Sequence, residues 1–161
     1  MTIITTTRLL FLASLASISI LASGCSPRYQ VFTADEFHVL EEGYDYDFRA
    51  TTADGLVIAL REIENPQQNT SLKFWTQAIE NKLRLDSGYA LLNTKTIETA
   101  SGLKGSQMRF GTDRDQGAHV YIVTAFLTEK YLYILEAGGT EAQVAQHQAQ
   151  LDWTVQNFSA H

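Results

Sequence analysis

The stretch from Ala118 to Phe158 constrains this chain more than any other part of it. From Ala118 to Thr128 both alternating sets are apolar: Val120, Ile122 and Phe126 point one way, and Tyr121, Val123 and Leu127 the other. After Glu129-Lys130, the run from Tyr131 to Ala137 repeats the pattern, with Tyr131, Tyr133 and Leu135 opposite Leu132 and Ile134. A strand that is apolar on both faces has to be covered on both, so these two are expected at the centre of a sheet. Their short link makes them antiparallel neighbours. Gly138-Gly139 then ends the run, and Thr140 with Gln143 has the spacing of a capping box that opens a helix. The apolar stripe of that helix is Val144, Leu151, Val155 and Phe158.

The elements upstream follow from the same periodicities. Tyr44 to Thr52 alternates Tyr44, Tyr46, Phe48 and Ala50 against Asp45, Asp47, Arg49 and Thr51, a strand with one buried and one wet face. Ala53-Asp54-Gly55 is a hairpin signal, and Leu56 to Glu64 returns as the second strand, ended by Asn65-Pro66. Ser71 to Asp86 places Leu72, Trp75, Ile79 and Leu83 at helical spacing, with Thr70 or Ser71 as cap and Gly88 as stop. Tyr89–Thr99 and Leu103–Thr112 are two more strands around Ser101-Gly102. Each helix carries a tryptophan, Trp75 or Trp153, suited to covering a sheet face. The expected fold is α+β in the order ββαββββα: an antiparallel sheet of about six strands with helices packed on its faces.

The start of the chain has a different character. Arg8 is the only charged side chain before Cys25, and Leu9 to Leu21 is a run of 13 apolar and small residues. That length suits the apolar region of a signal peptide and is too short to span a bilayer as a helix. The run ends in Leu21-Ala22-Ser23-Gly24-Cys25, small residues leading into the only cysteine of the chain, which resembles a bacterial lipobox. Ala22 stands where leucine is commonest in such motifs. An exported chain with one cysteine has no internal disulfide to make, so Cys25 is expected to carry lipid as the first mature residue. Each buried methylene adds about 0.8 kcal/mol, enough for several acyl chains such as palmitate to hold the protein on a membrane. Ser26, in place of an aspartate, resembles lipoproteins sorted to the outer membrane. Residues 1–24 are thus read as signal peptide, 25–43 as lipidated cysteine and tether, and 44–161 as one globular domain.

Without residues 1–24 the chain has 11 basic against 18 acidic side chains, a net charge of −7. That balance argues against nucleic acid and against a polybasic grip on anionic lipid.

The polar residues offer no catalytic constellation. His38, His119, His147 and His161 include no closely spaced pair of the kind zinc takes. His147, between Val144 and Leu151, suits a histidine at the rim of a core. Asp113-Arg114-Asp115-Gln116-Gly117 opens like a calcium loop, but Gly117 replaces the third carboxylate and no glutamate closes it. Gly138-Gly139-Thr140 has no P-loop lysine, and Glu136 and Glu141 would repel phosphate. Ser106, His119 and Asp113 lack a nucleophile elbow around the serine. Neither a cofactor nor a metal site is expected. Tyr44, Asp45, Tyr46 and Asp47 form a possible interaction surface, at the end of an acidic lead-in containing Asp35, Glu36, Glu41 and Glu42.

The opening hairpin Tyr44–Glu64, the meander Tyr89–Ala137 and a closing helix ending Gln156-Asn157-Phe158-Ser159 together resemble the PsbP-like fold, seen also in DcrB-like envelope lipoproteins. The resemblance implies docking on other proteins in place of catalysis. The expectation is therefore a bacterial envelope lipoprotein, anchored through Cys25 on the periplasmic side of the outer membrane. Its domain would serve as a non-catalytic docking or accessory subunit for an envelope protein partner. A periplasmic carrier of a small ligand or cation, using the acidic lead-in and the Tyr44/Tyr46/Phe48 strand, is the alternative, ahead of a small hydrolase.

Overall fold

The computed structural model describes residues 28–40, 45–65, 70–114 and 117–160. Cys25 and Tyr44 lie outside the described residues. Two short strands come first, β1 (Tyr29–Gln30) and β2 (His38–Val39), followed by the hairpin β3 (Phe48–Thr51) and β4 (Val57–Glu64). Helix α1 (Leu72–Ser87) leads to the meander β5 (Ala90–Glu98), β6 (Lys104–Arg114), β7 (Gly117–Leu127) and β8 (Tyr131–Thr140). Helices α2 (Glu141–Gln146) and α3 (Gln148–Asn157) and strand β9 (Ser159–Ala160) close the chain.

Seven strands make one antiparallel sheet in the order β2-β3-β4-β8-β7-β6-β5, and β1 pairs separately with β9. The two strands that are apolar on both faces, β7 and β8, sit in its middle, as their sequence requires. The opening hairpin is placed against the end of the meander: Ala59 pairs with Glu136 and Arg61 with Ile134. The folded body begins before Tyr44, because β1 and β2 are both paired and Phe37 is buried in the core.

Each sheet face has its own core. Under α2 and α3 lie Leu56, Ile58, Leu60, Phe126, Tyr133 and Leu135, closed by Val144, Leu151 and Phe158. Phe158 stacks on Phe126 at 4.9 Å. Under α1 lie Met108, Phe110, Val123, Ala125, Leu132 and Ile134, with Leu72, Trp75, Ile79 and Leu83 packed on them. The caps are those the sequence announces. Ser71 Oγ accepts from the Phe74 amide, Gly88 closes α1 at φ 70°, and Thr140 with Gln143 forms a complete capping box.

Four local expectations are corrected. Gly138-Gly139 does not end the strand, since β8 runs on to Thr140. The glycines are there for close approach: a Cβ on Gly139 would meet Leu56 Cδ1 at 2.8 Å and one on Gly138 the Tyr121 ring at 3.1 Å. The final helix is two helices, interrupted at His147 (φ −104°, ψ 15°), and Phe158 follows it in extended backbone. Trp153 is not a covering residue but 45% exposed. The strand from Tyr44 to Thr52 is only Phe48–Thr51, because Asp47 leaves the alternation to accept from the Glu62 amide at 2.6 Å.

Candidate functional site

Two clefts compete as candidate sites, and the state of their polar groups separates them. The first, about 460 Å³, lies where β6, β7 and β8 meet the start of α2 and includes Asp54, Arg114, His119, Thr140 and Gln143. Its polar side chains are already engaged. Arg114 donates to Tyr89 Oη at 2.8 Å, and His119 Nδ1 lies 3.2 Å from the Gly117 carbonyl. Gln143 accepts from the Thr140 amide and donates to the Asp54 carbonyl. Asp54 accepts from Thr52 Oγ1 and faces His147 Nε2 at 3.2 Å, and the Thr52 bond is the chief cause that holds its carboxyl below the usual range. This cleft is tied together as structure.

The second cleft runs between α1 and the sheet and measures about 320 Å³. Its wall is one helical stripe, Trp75, Ala78, Ile79, Lys82 and Leu83, which recur at spacings of three and four. The Trp75 ring is oriented by its Nε1–H, which donates to Thr70 Oγ1 at 3.0 Å; Thr70 in turn donates to Asn65 Oδ1 at 2.7 Å. Leu132 and Ile134 of β8 and Ile63 of β4 supply an apolar floor. None of the 16 residues of α1 is buried, so this helix covers its face of the sheet without sealing it.

At one end of the groove the floor turns polar. Glu136, 5% exposed, binds Arg61 Nη2 through Oε1, and Arg61 lies under the Tyr46 ring at 5.2 Å. Burial opposes the Arg61 charge, yet the Glu136 carboxylate more than offsets it and raises the Arg61 pKa. Burial, then the neighbouring Glu136 charge, pushes the Tyr121 phenol far above its ordinary value of 10.0. Glu136 Oε2 and Arg61 Nε are both closed off from solvent, and the Tyr121 hydroxyl bonds to the Glu136 carboxylate.

The structure divides the residues that the sequence offered as an interaction surface. Tyr46 belongs to the groove through Arg61, on the sheet face opposite Phe48 and Ala50. Asp47 is spent on the backbone, with its amide on the Leu60 carbonyl and its carboxylate on the Glu62 amide. Asp45 is exposed. Among the described residues no three His, Cys, Asp or Glu side chains converge closely enough to hold a metal ion. Ser106 and His119 lie far apart along the β6–β7 ladder, opposite Ala125 and Thr112 respectively. Sequence reasoning missed Arg61 and Glu136 as a pair. The signal was available in β8, where Glu136 is the one acid in a strand read as covered on both faces, and such an acid requires a partner.

No family model matches the sequence, and no curated protein sequence matches it. Solved structures do match the fold. The solution structure of cyanobacterial PsbP (CyanoP) from Synechocystis superposes with a TM-score of 0.64 at 10% identity, covering 93% of this chain and 99% of that one. LpqN, described as involved in cell envelope biogenesis of Mycobacterium tuberculosis, gives 0.65 at 10% identity, covering 86% of each chain. PA94 of Pseudomonas aeruginosa, a protein of unknown function, gives 0.52 at 12% identity over 81% of this chain and 85% of that one. At these identities the likeness is one of fold: the chain has the PsbP-like fold, an α+β domain with a mostly antiparallel sheet.

Proposed function

We propose that this protein is a lipid-anchored accessory subunit of the bacterial cell envelope, held on the membrane by Cys25, which binds a protein partner with the α1 face of its domain and performs no chemistry on it. The observation that carries this reading is the cover of that face: α1 buries none of its own residues and leaves an apolar groove beside the Arg61–Glu136 pair. The groove's polar chemistry suits recognition. Tyr121 holds its proton far above neutral pH and Arg61 holds its charge, so neither serves as a base there. Ile63 adds exposed apolar surface in the groove, Phe74 lies beside Trp75, and Leu85 is exposed elsewhere on α1. The fold shared with LpqN, an envelope protein by its description, supports the cellular setting. The apolar run Leu9–Leu21 and the lipobox-like approach to Cys25 support the anchor, with the periplasmic side of the outer membrane as the expected location.

The test has two arms in intact cells. Labelled fatty acid should enter the wild type and not Cys25→Ser. A photo-cross-linking residue at Leu85, 81% exposed on α1, should give one protein adduct, and the same residue at Trp153 on α3 should give none. Equal labelling of both proteins removes the anchor, and identical adducts from both positions remove the α1 face as the docking surface.

A further inference from the structure

We propose that the domain stands end-on on a phospholipid surface. The end that carries the β7–β8 turn and the first turn of α1, with Lys73, Phe74 and Lys130, meets the headgroups, and the opposite end points away. The inference rests on the anchor at Cys25 and specifies which surface that anchor brings to the lipid. Arg28 stands three positions after Cys25, and three residues span at most about 11 Å. Arg28 is itself fastened at that end: its guanidinium lies 3.1 Å from Glu62 and donates to Tyr131 Oη at 2.7 Å, and its carbonyl accepts from Tyr133 Oη. The start of α1 lies at the same end. Tyr131 pairs with Glu64, the Asn65 amide donates to the Lys130 carbonyl, and Thr70 joins Asn65 to the Trp75 ring. The tether thus fixes the near end, and surface chemistry lifts the far one. At the near end Lys73, Lys104 and Lys130 balance Glu64, Glu98 and Glu129, whereas Asp54, Asp113 and Glu141 outnumber Arg114 at the far end. Anionic lipid repels the second set and not the first. Phe74 is 53% exposed in the first turn of α1, where helical side chains lean toward the N-terminus and so toward the near end. An aromatic ring flanked by lysine suits the boundary between headgroups and acyl chains. The far end, at the other extreme of the 10-residue strand β8, is then about 30 Å higher, and the α1 groove opens sideways.

The test places the native lipidated protein in vesicles of phosphatidylethanolamine and phosphatidylglycerol whose brominated acyl chains quench a nearby bimane fluorophore. The fluorophore is carried in turn by Phe74→Cys, Lys130→Cys, Asp113→Cys and Glu141→Cys, all at exposed positions. Phe74→Cys and Lys130→Cys should lose most of their emission on the vesicles, and Asp113→Cys and Glu141→Cys almost none. Equal quenching at the two ends, none at either, or more at the far end overturns the proposal. Adding Phe74→Asp should restore part of the Lys130→Cys emission. Unchanged quenching in that protein would leave the tether as the sole cause and overturn the lipid contact. A protein that does not float with the vesicles removes the anchor and this proposal together. One that floats with both ends quenched alike removes the orientation alone, and leaves the anchor and the α1 docking face standing.

Discussion

On one face of the sheet Val144, Leu151 and Phe158 are sealed against Phe126, Tyr133 and Leu135, whereas on the other α1 rests its Trp75–Leu83 stripe on the sheet with none of its 16 residues buried. The sealed face also holds the turn of the opening hairpin, through His147 on Asp54 and Gln143 on the Asp54 carbonyl. The open face carries the groove, an embedded Arg61–Glu136 ion pair, and Tyr46 above it. A two-faced sheet lets stability and recognition be assigned to different sides. One helical cover is packed closely enough to hold the fold, and the other is left loose enough to meet something.

The sharpest way to break this comparison is to truncate one residue on each side. Phe158 is fully buried and stacks on Phe126 at 4.9 Å and packs on Tyr133 at 5.6 Å, so Phe158→Ala should cost about 3–5 kcal/mol of unfolding free energy. Leu83 is half-buried at the wall of an existing groove, so Leu83→Ala should cost about 1 kcal/mol, since little new cavity is made. Urea unfolding of both variants checks the pair. Comparable losses would mean that α1 is as much a part of the core as α3.

A smaller effect is expected within the open face. Glu136→Leu leaves Arg61 without its counter-ion, and with 41% of the Arg61 side chain still exposed the cost should be about 2 kcal/mol. Adding Arg61→Met should return stability to within about 1 kcal/mol of wild type, because an embedded pair is often replaceable by apolar groups. The same urea series measures it. A double variant no more stable than Glu136→Leu alone would make the pair a structural element and remove its assignment to recognition.

The two faces were unequally legible in the sequence. The centre of the sheet was plain from β7 and β8, because burial on both sides writes apolar residues on both alternating sets and needs no knowledge of partners. Helix α1 was readable to its stop at Gly88 and, within one residue (Thr70 or Ser71), to its N-cap, for the equally local reason that caps are set within one turn. The groove was not readable. Arg61 and Glu136 are 75 positions apart, and they meet only because β4 pairs with β8, a crossover that no local pattern encodes. Tyr46 was placed on the wrong side of the sheet for a related reason: Asp47 turns to bond the Glu62 amide and breaks the alternation that ran through it. The Gly138-Gly139 pair was misread because glycine serves both as a strand breaker and as room for a neighbour. Only the approach of Leu56 and Tyr121 distinguishes the two.

The smallest effect, and one that sharpens the contrast, comes from the two phenols that face opposite sides. Tyr133, on the sealed face, has its pKa pushed up to about 12, first by burial and then by the Glu62 charge. Tyr121, at the groove, is raised further, first by burial and then by Glu136. Both are raised above an unfolded value near 10.0, so their contributions are fully present below pH 10 and are lost as pH rises. For Tyr133 the loss is complete near pH 12; for Tyr121 it is still growing there. Tyr133→Phe and Tyr121→Phe should each flatten the fall of stability between about pH 10 and 11.5, with no difference from wild type in that slope near pH 8. Glu136→Gln then separates the faces. It removes a charge beside Tyr121 but not one that bears on Tyr133, so ultraviolet titration of the phenolates should show only the Tyr121 step moving down. If both steps move together, the carboxylate is felt through the sheet, and the separation of a holding face from a meeting face fails at its electrostatic centre.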